Sequence, residues 1–192
     1  LGVLTELLCE KAKSVITVEA DDSLYSDAIL KFSKIPNLEI IFGDGFQHGV
    51  DFTIFVSNLP YSQSKRAIEW LAQKKFKQAV IMLQQEFAEK LLAKKREIHA
   101  ITVIADYCFD IEKILKVGKN NFSPEPKVDS IVLRLIPKKQ ISKELMDSIE
   151  KLFSQRRKTI SNIAKSFGKS IKSDKRLEEL ETNEIIDIAK QI

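Results

Sequence analysis

The sequence predicts an α/β fold, a mostly parallel sheet with helices on both faces, followed by a small all-helical C-terminal domain. Short β-branched and aromatic runs alternate with helix-length amphipathic segments, the pattern of parallel strands joined by crossover helices. Several of those runs are continuously apolar, as interior strands are. After Pro137-Lys138-Lys139 the strand-like runs stop, which places a domain boundary near residue 138 and divides the chain into 1–138 and 139–192.

The elements follow in order. Leu4 to Lys11 is a helical fragment, and Ser14 to Glu19 is a strand ending in an acid. A helix around Ser23 to Phe32 leads to a strand over Leu38 to Phe42 that ends in Gly43-Asp44, and Phe52 to Val56 is the next strand. A helix near Lys65 to Gln73, a strand over Ala79 to Leu83 and a helix over Gln85 to Ala93 come next. Ala100 to Phe109 and Val128 to Ile136 read as two more strands closing in an antiparallel hairpin, because the prolines of Asn120 to Lys127 exclude a helix between them. Beyond residue 138 the segments Ser142 to Phe153, Thr159 to Phe167 and Asn183 to Ile192 read as helices, the last capped by Thr182 or Asn183.

Composition bounds the function. The 192 residues are 44% hydrophobic and 30% charged, as in a globular chain. No apolar stretch has the length of a membrane span and no signal-peptide pattern opens the chain, so a cytoplasmic address with no membrane partner is expected. Cys9 and Cys108 lie far apart in apolar contexts and read as small buried hydrophobes; His48 and His99 are isolated, so no metal site is expected. A net charge of +4 is mild, and where it lies matters more than its size.

Ligands of open parallel sheets bind at the carboxyl ends of strands, and an acid there commonly holds a ribose diol. Glu19 ends one strand in Ile16-Thr17-Val18-Glu19 and Asp44 follows the next in Ile41-Phe42-Gly43-Asp44. Two such acids suit the ribose and the exocyclic amine of an adenosine group; singly, each is also an ordinary loop acid or helix cap. A nucleotide site of this kind also needs a glycine-rich turn after its first strand. The chain opens at Leu1-Gly2-Val3-Leu4-Thr5, inside such a motif, with Gly2 as its last glycine.

The next strand runs into Ser57-Asn58-Leu59-Pro60-Tyr61-Ser62. An adenine amine is a poor nucleophile because its lone pair is delocalised into the ring. The Asn58 side-chain oxygen and a main-chain carbonyl freed by Leu59-Pro60 would favour a tetrahedral nitrogen and stabilise the positive charge that develops as it attacks. Tyr61 would stack on an extruded base. The methyl donor would be a sulfonium cofactor, with orientation supplying most of the rate. A proline turn with a capping Asn is the structural alternative.

These motifs closely resemble those of the small-subunit ribosomal RNA adenine dimethyltransferases of the KsgA type. Gly2-Val3-Leu4-Thr5, Val18-Glu19-Ala20-Asp21, Gly43-Asp44, Ser57 to Ser62, Leu83 to Ala93, Phe122 to Ser130 and Phe153 to Lys165 stand in family order over nearly the whole chain. The resemblance implies a Rossmann-like class I methyltransferase sheet, S-adenosyl-L-methionine as donor, and N6,N6-dimethylation of two adjacent adenosines in a 3′-terminal hairpin loop of small-subunit rRNA. It places Gly2, Glu19, Asp44 and Asn58 at the cofactor, and Asn58, Leu59, Pro60 and Tyr61 at the methyl-transfer centre and target pocket. Phe122 would be a second wall for the target base. After Leu91-Leu92-Ala93-Lys94 the family has a longer loop, whereas Lys95-Arg96-Glu97-Ile98 here passes quickly into the expected strand.

Gln155-Arg156-Arg157-Lys158 at a helix start concentrates positive charge in the small domain, and Arg156, Arg157 and Lys158 are the expected phosphate contacts. Lys165, Lys169, Lys172, Lys175 and Arg176 continue that charge, and Lys65 and Arg66 would guide phosphate near the pocket. The expected partners are small-subunit rRNA and the immature small ribosomal subunit, bound by a monomer that also acts in ribosome assembly. Two rivals share much of the pattern: a large-subunit rRNA adenine methyltransferase of the resistance type, and a non-catalytic RNA-binding assembly factor.

Overall fold

The computed structural model describes residues 2–93 and 98–192. The expected short connection over Lys95-Arg96-Glu97 therefore lies outside the described residues. Contacts divide the chain into two units, one up to Val50 and one from Asp51 onward.

The first unit is a strand-helix-strand crossover preceded by a helix. α1 (Val3–Lys11), β1 (Val15–Glu19), α2 (Asp22–Phe32) and β2 (Leu38–Phe42) follow the expected order. β1 and β2 pair in parallel with Glu19 opposite Phe42. Asp21 caps α2 by accepting from the Leu24 N–H at 2.9 Å, the role expected of an aspartate at that position. The Asn37 side-chain amide donates to the carbonyls of Cys9 and Ala12, both at 2.9 Å, and ties the end of α1 to the turn before β2.

The second unit holds β3 (Ile54–Asn58), α3 (Ser64–Leu71), β4 (Gln78–Gln84), α4 (Gln85–Leu92), α5 (Ala100–Cys108), β5 (Phe109–Val117), β6 (Ser130–Pro137), α6 (Lys143–Ser154), α7 (Ile160–Ser166) and α8 (Thr182–Ala189). Its sheet order is β3-β4-β6-β5. β3 and β4 are parallel, and β6 runs antiparallel to both of its neighbours. Ala79, Ile81 and Leu83 of β4 stand opposite Leu135, Leu133 and Ile131 of β6, and all six are buried. The closing hairpin is thus present, but one of its strands is not where the sequence predicts it.

Ala100 to Phe109, expected as a strand, is the helix α5 up to Cys108. Its β-branched run resembles a buried strand, yet Val103, Ile104, Ala105 and Cys108 form one buried helical face. Thr102 and His99 exchange cap bonds at its start: the His99 N–H donates to Thr102 Oγ1 at 2.9 Å. The true hairpin strand is β5, whose side chains are mostly exposed and include Lys113 and Lys116, as suits a sheet edge.

The C-terminal helices follow the expected order, with Ser142 capping α6 through the Leu145 N–H at 3.2 Å. α8 is capped by Glu181 rather than by Thr182 or Asn183, in a box with Glu184. Ile149, Leu152, Ile163, Ile185 and Ile186 from these helices belong to the same core as Ile81, Leu133 and Ile104. These helices therefore share the core of the second unit.

Candidate functional site

Within the first unit, the parallel register brings Glu19 and Asp44 to one end of the β1–β2 pair. Glu19 ends β1, its Oε1 accepts from the Asp21 N–H at 3.0 Å, and its carbonyl accepts from the Gly43 N–H at 2.8 Å. Asp44 lies two residues beyond the strand partner of Glu19, and its Oδ1 accepts from the Phe46 N–H at 3.0 Å. Each acid thus bonds a main-chain amide of its own loop, which fixes the carboxylate at the strand end.

Two glycines shape that end. Gly43, between the strand and Asp44, has φ 137°, and a Cβ there would stand 2.5 Å from His48 Nε2. Gly2 caps α1 at φ 71° and ψ 19°, and a Cβ there would stand 2.3 Å from the Phe32 ring. Both backbone conformations are ones that side chains rarely adopt. The sequence located Gly2 as a candidate, but the constraint at Gly43 was not visible in it.

The second candidate cluster is in the other unit. β3 begins and ends two residues later than expected, so Asn58 is its last residue, in register with Met82 of β4. Asn58 is exposed, and its carboxamide takes no hydrogen bond among the described residues. Pro60 accepts from the Gln63 N–H at 2.9 Å, and the Leu59 carbonyl has no main-chain partner in this turn among the described residues. Tyr61 opens a single 3₁₀ turn leading into α3 and is half-buried. Its hydroxyl and Ser130 Oγ share a hydrogen bond at 2.8 Å, and its carbonyl accepts from Ser64 Oγ at 2.8 Å.

Phe122 lies half-buried in the loop between β5 and β6, just after a 3₁₀ turn at Lys119–Asn121. Asp129 braces that loop: Oδ1 accepts from the Lys119 N–H at 3.0 Å and Oδ2 pairs with Lys116 at 2.8 Å. The Lys116 ammonium, then the Lys119 N–H, hold the Asp129 carboxyl below its ordinary value. Lys119 also pairs with Glu125 at 2.9 Å. Ser64, Asp129 and Ser130 were missed from the sequence, although the last two end the stretch Phe122 to Ser130 that carries the resemblance.

The basic residues divide into two kinds. Lys65 was expected to guide phosphate, but it pairs with Glu150 of α6 at 2.6 Å and with Glu69 at 3.3 Å. Burial raises Glu69 above the usual carboxylate value, against the pull of Lys65. Arg156, Arg157 and Lys158 are exposed in the turn between α6 and α7, after one helix rather than at the start of another. Lys158 donates to Gln155 at 2.8 Å, and no carboxylate pairs with Arg156 or Arg157 among the described residues. Arg66 is likewise exposed.

Among the described residues no group of three His, Cys, Asp or Glu is arranged to hold a metal ion, and no helix is long and apolar enough to cross a membrane. Cys108 is fully buried, and its thiol is pushed up to about 12 by desolvation.

A crossover unit ending in two anchored acids, with a β3–β4–β6–β5 sheet whose first strand ends at the Asn of Asn-Leu-Pro-Tyr, defines a class I methyltransferase fold. The family model of ribosomal RNA adenine dimethylases matches residues 1–192, and the chain belongs to that family. It is 38% identical over 172 residues to a probable ribosomal RNA small subunit methyltransferase A of Methanosarcina acetivorans, covering 84% of this chain and 63% of the relative. With the Thermotoga petrophila ribosomal RNA small subunit methyltransferase A it shares 32% identity over 97% of this chain and 75% of the relative. The chain thus spans less than two thirds of the length of the Methanosarcina relatives it matches. Among solved structures it is similar to a dimethyladenosine transferase from Plasmodium falciparum, at 26% identity and a TM-score of 0.79, over 97% of this chain and 84% of that one. The 23S rRNA methyltransferase ErmE shares the fold, at 23% identity and a TM-score of 0.67, over 99% of this chain and 87% of that one.

Proposed function

We propose that the protein is an S-adenosyl-L-methionine-dependent enzyme that dimethylates N6 of two adjacent adenosines in a 3′-terminal hairpin loop of small-subunit rRNA. The observation that carries this is the end of β3, where an exposed Asn58 is followed by a tyrosine fixed at both its hydroxyl and its carbonyl. Membership of the ribosomal RNA adenine dimethylase family supports that substrate class.

The residues of the first unit fit an adenosyl group. Glu19 and Asp44 each accept a loop amide N–H, and a carboxylate has several acceptor sites, so both suit donors such as a ribose diol and an exocyclic amine. Gly2 and Gly43 give the main chain a shape that a Cβ would disturb. When bound, the cofactor supplies an electrophilic methyl on a sulfonium sulfur, which keeps the electron pair of the broken bond.

Tyr61 and Phe122 stack on the extruded target base. The Asn58 oxygen and the Leu59 carbonyl accept from the adenine N6 hydrogens, so the nitrogen lone pair leaves conjugation and the new N–C bond forms from it. Positive charge on that nitrogen is stabilised by the same two acceptors, and the proton then passes to water. No side chain needs to act as a strong base, because the alkylated nitrogen is acidic once formed.

Arg156, Arg157 and Lys158 hold RNA phosphates, and the helices beyond residue 138 act as the RNA-binding part of the chain. Binding an immature small subunit as a cytoplasmic monomer would couple methylation to ribosome assembly. The test is donor binding by the full-length protein, followed by transfer of labelled methyl groups to immature small subunits. Asn58→Ala should lower that transfer by about 10²–10³-fold, as loss of a charge-stabilising group does elsewhere. Transfer at the parental rate by this variant would refute the mechanism.

A further inference from the structure

Among the described residues the buried polar side chains are Ser64 and Ser130, and both bind Tyr61. A buried hydroxyl is unfavourable unless bonded, so each serine is held to its partner as firmly as the partner is held to it. Ser130 is fully buried at the start of β6, where the ladder pairs it with Gln84 of β4 on one side and Val117 of β5 on the other. Its Oγ is therefore placed by the middle of the sheet. Tyr61, by contrast, sits in a three-residue 3₁₀ turn that fixes little by itself.

We propose that Ser130, with Ser64, is a positioning residue that locks the Tyr61 ring in the orientation in which it stacks on the target base. The inference rests on the function proposed above and deepens it. A ring already held in its bound rotamer loses less freedom when the base arrives, so more of the stacking contact appears as affinity. Asp129, the preceding residue, anchors the loop that carries Phe122. Two consecutive residues at one strand start thus reference both proposed aromatic walls to the same sheet.

The chain has three tyrosines, Tyr25, Tyr61 and Tyr107, so ring signals of a protein labelled at tyrosine can be assigned by substitution. In free Ser130→Ala the Tyr61 ring signal should move while those of Tyr25 and Tyr107 stay. With rRNA substrate, Ser130→Ala should raise KM about 5-fold, the effect of one net hydrogen bond, and leave kcat nearly unchanged. Tyr61→Phe, which keeps the ring and removes the hydroxyl, should do the same, and the double variant should lose no more than either single one. An unmoved ring signal, or single effects that multiply in the double variant, would overturn the proposal. If the ring signal moves but the parental protein has no affinity for rRNA, the ring clamp is supported and the proposed function fails.

Discussion

Gly43→Ala probes how the first unit holds its acids. The residue lies between a ladder bond to the Glu19 carbonyl and the Asp44 loop, at φ 137°. An alanine held in so sparsely populated a conformation costs about 1–3 kcal/mol. Its Cβ would also meet His48 Nε2 at 2.5 Å, but that is a side-chain ring able to turn away, so the backbone dominates. The strain has two outlets. If the backbone holds, the first unit loses about 1–3 kcal/mol of stability; if it relaxes, Asp44 shifts and donor affinity falls about 5- to 150-fold, the same energy in binding. Gly49→Ala is the control, because nothing lies within 4 Å of its Cβ and its φ is ordinary. It should stay within about 0.5 kcal/mol of the parent. Denaturation followed by circular dichroism and calorimetric titration with the donor measure both outlets. Fluorescence would miss the first, because the only tryptophan, Trp70, lies in the second unit. If Gly43→Ala matches Gly49→Ala in both assays, the constraint at Gly43 is not what fixes Asp44.

Three further outcomes are expected. Arg156→Ala with Arg157→Ala should weaken rRNA binding and flatten its logarithmic salt dependence by about 2, one for each lost phosphate contact, as measured by binding titrations across salt concentrations. Leu152→Ala should cost about 2–5 kcal/mol in urea unfolding monitored by Trp70 fluorescence, since Leu152 is fully buried in the core shared with the sheet. The folded pKa of Glu69 is raised above its ordinary 4.5, chiefly by burial, so its contribution to stability is present below 4.5 and lost as pH rises through the folded value. Glu69→Gln should remove that loss, and its stability relative to the parent should rise with pH above 4.5; an unchanged difference would contradict the shift.

Where local pattern and tertiary role agree, the sequence was legible. β1, α2 and β2 have clear turn signals and follow the expected order. The two acids and Asn-Leu-Pro-Tyr stand at or just past strand ends, as the sequence predicts, and strand ends are where such sheets bind ligands. Ala100 to Cys108 failed because nine mostly apolar, β-branched residues carry no period that separates a buried helix from a buried strand. Its neighbour β5 was missed for the opposite reason: an exposed edge strand with lysines lacks an apolar signature. At the candidate site, what stayed hidden was the support. Ser130 and Asp129 act on groups 69 and 10 residues away in sequence, and a serine at a strand start gives no sign that it will reach a tyrosine hydroxyl. The partners of Lys65 were hidden in the same way, since Glu150 lies 85 residues further on.

The most direct test is to map transferred methyl groups by mass spectrometry after offering the protein immature small subunits and large subunits side by side. N6,N6-dimethyladenosine at two adjacent positions of the 3′-terminal hairpin loop of small-subunit rRNA, and none in the large subunit, is the expected result. Methyl groups found only in large-subunit RNA, or in neither RNA despite donor binding, would contradict it.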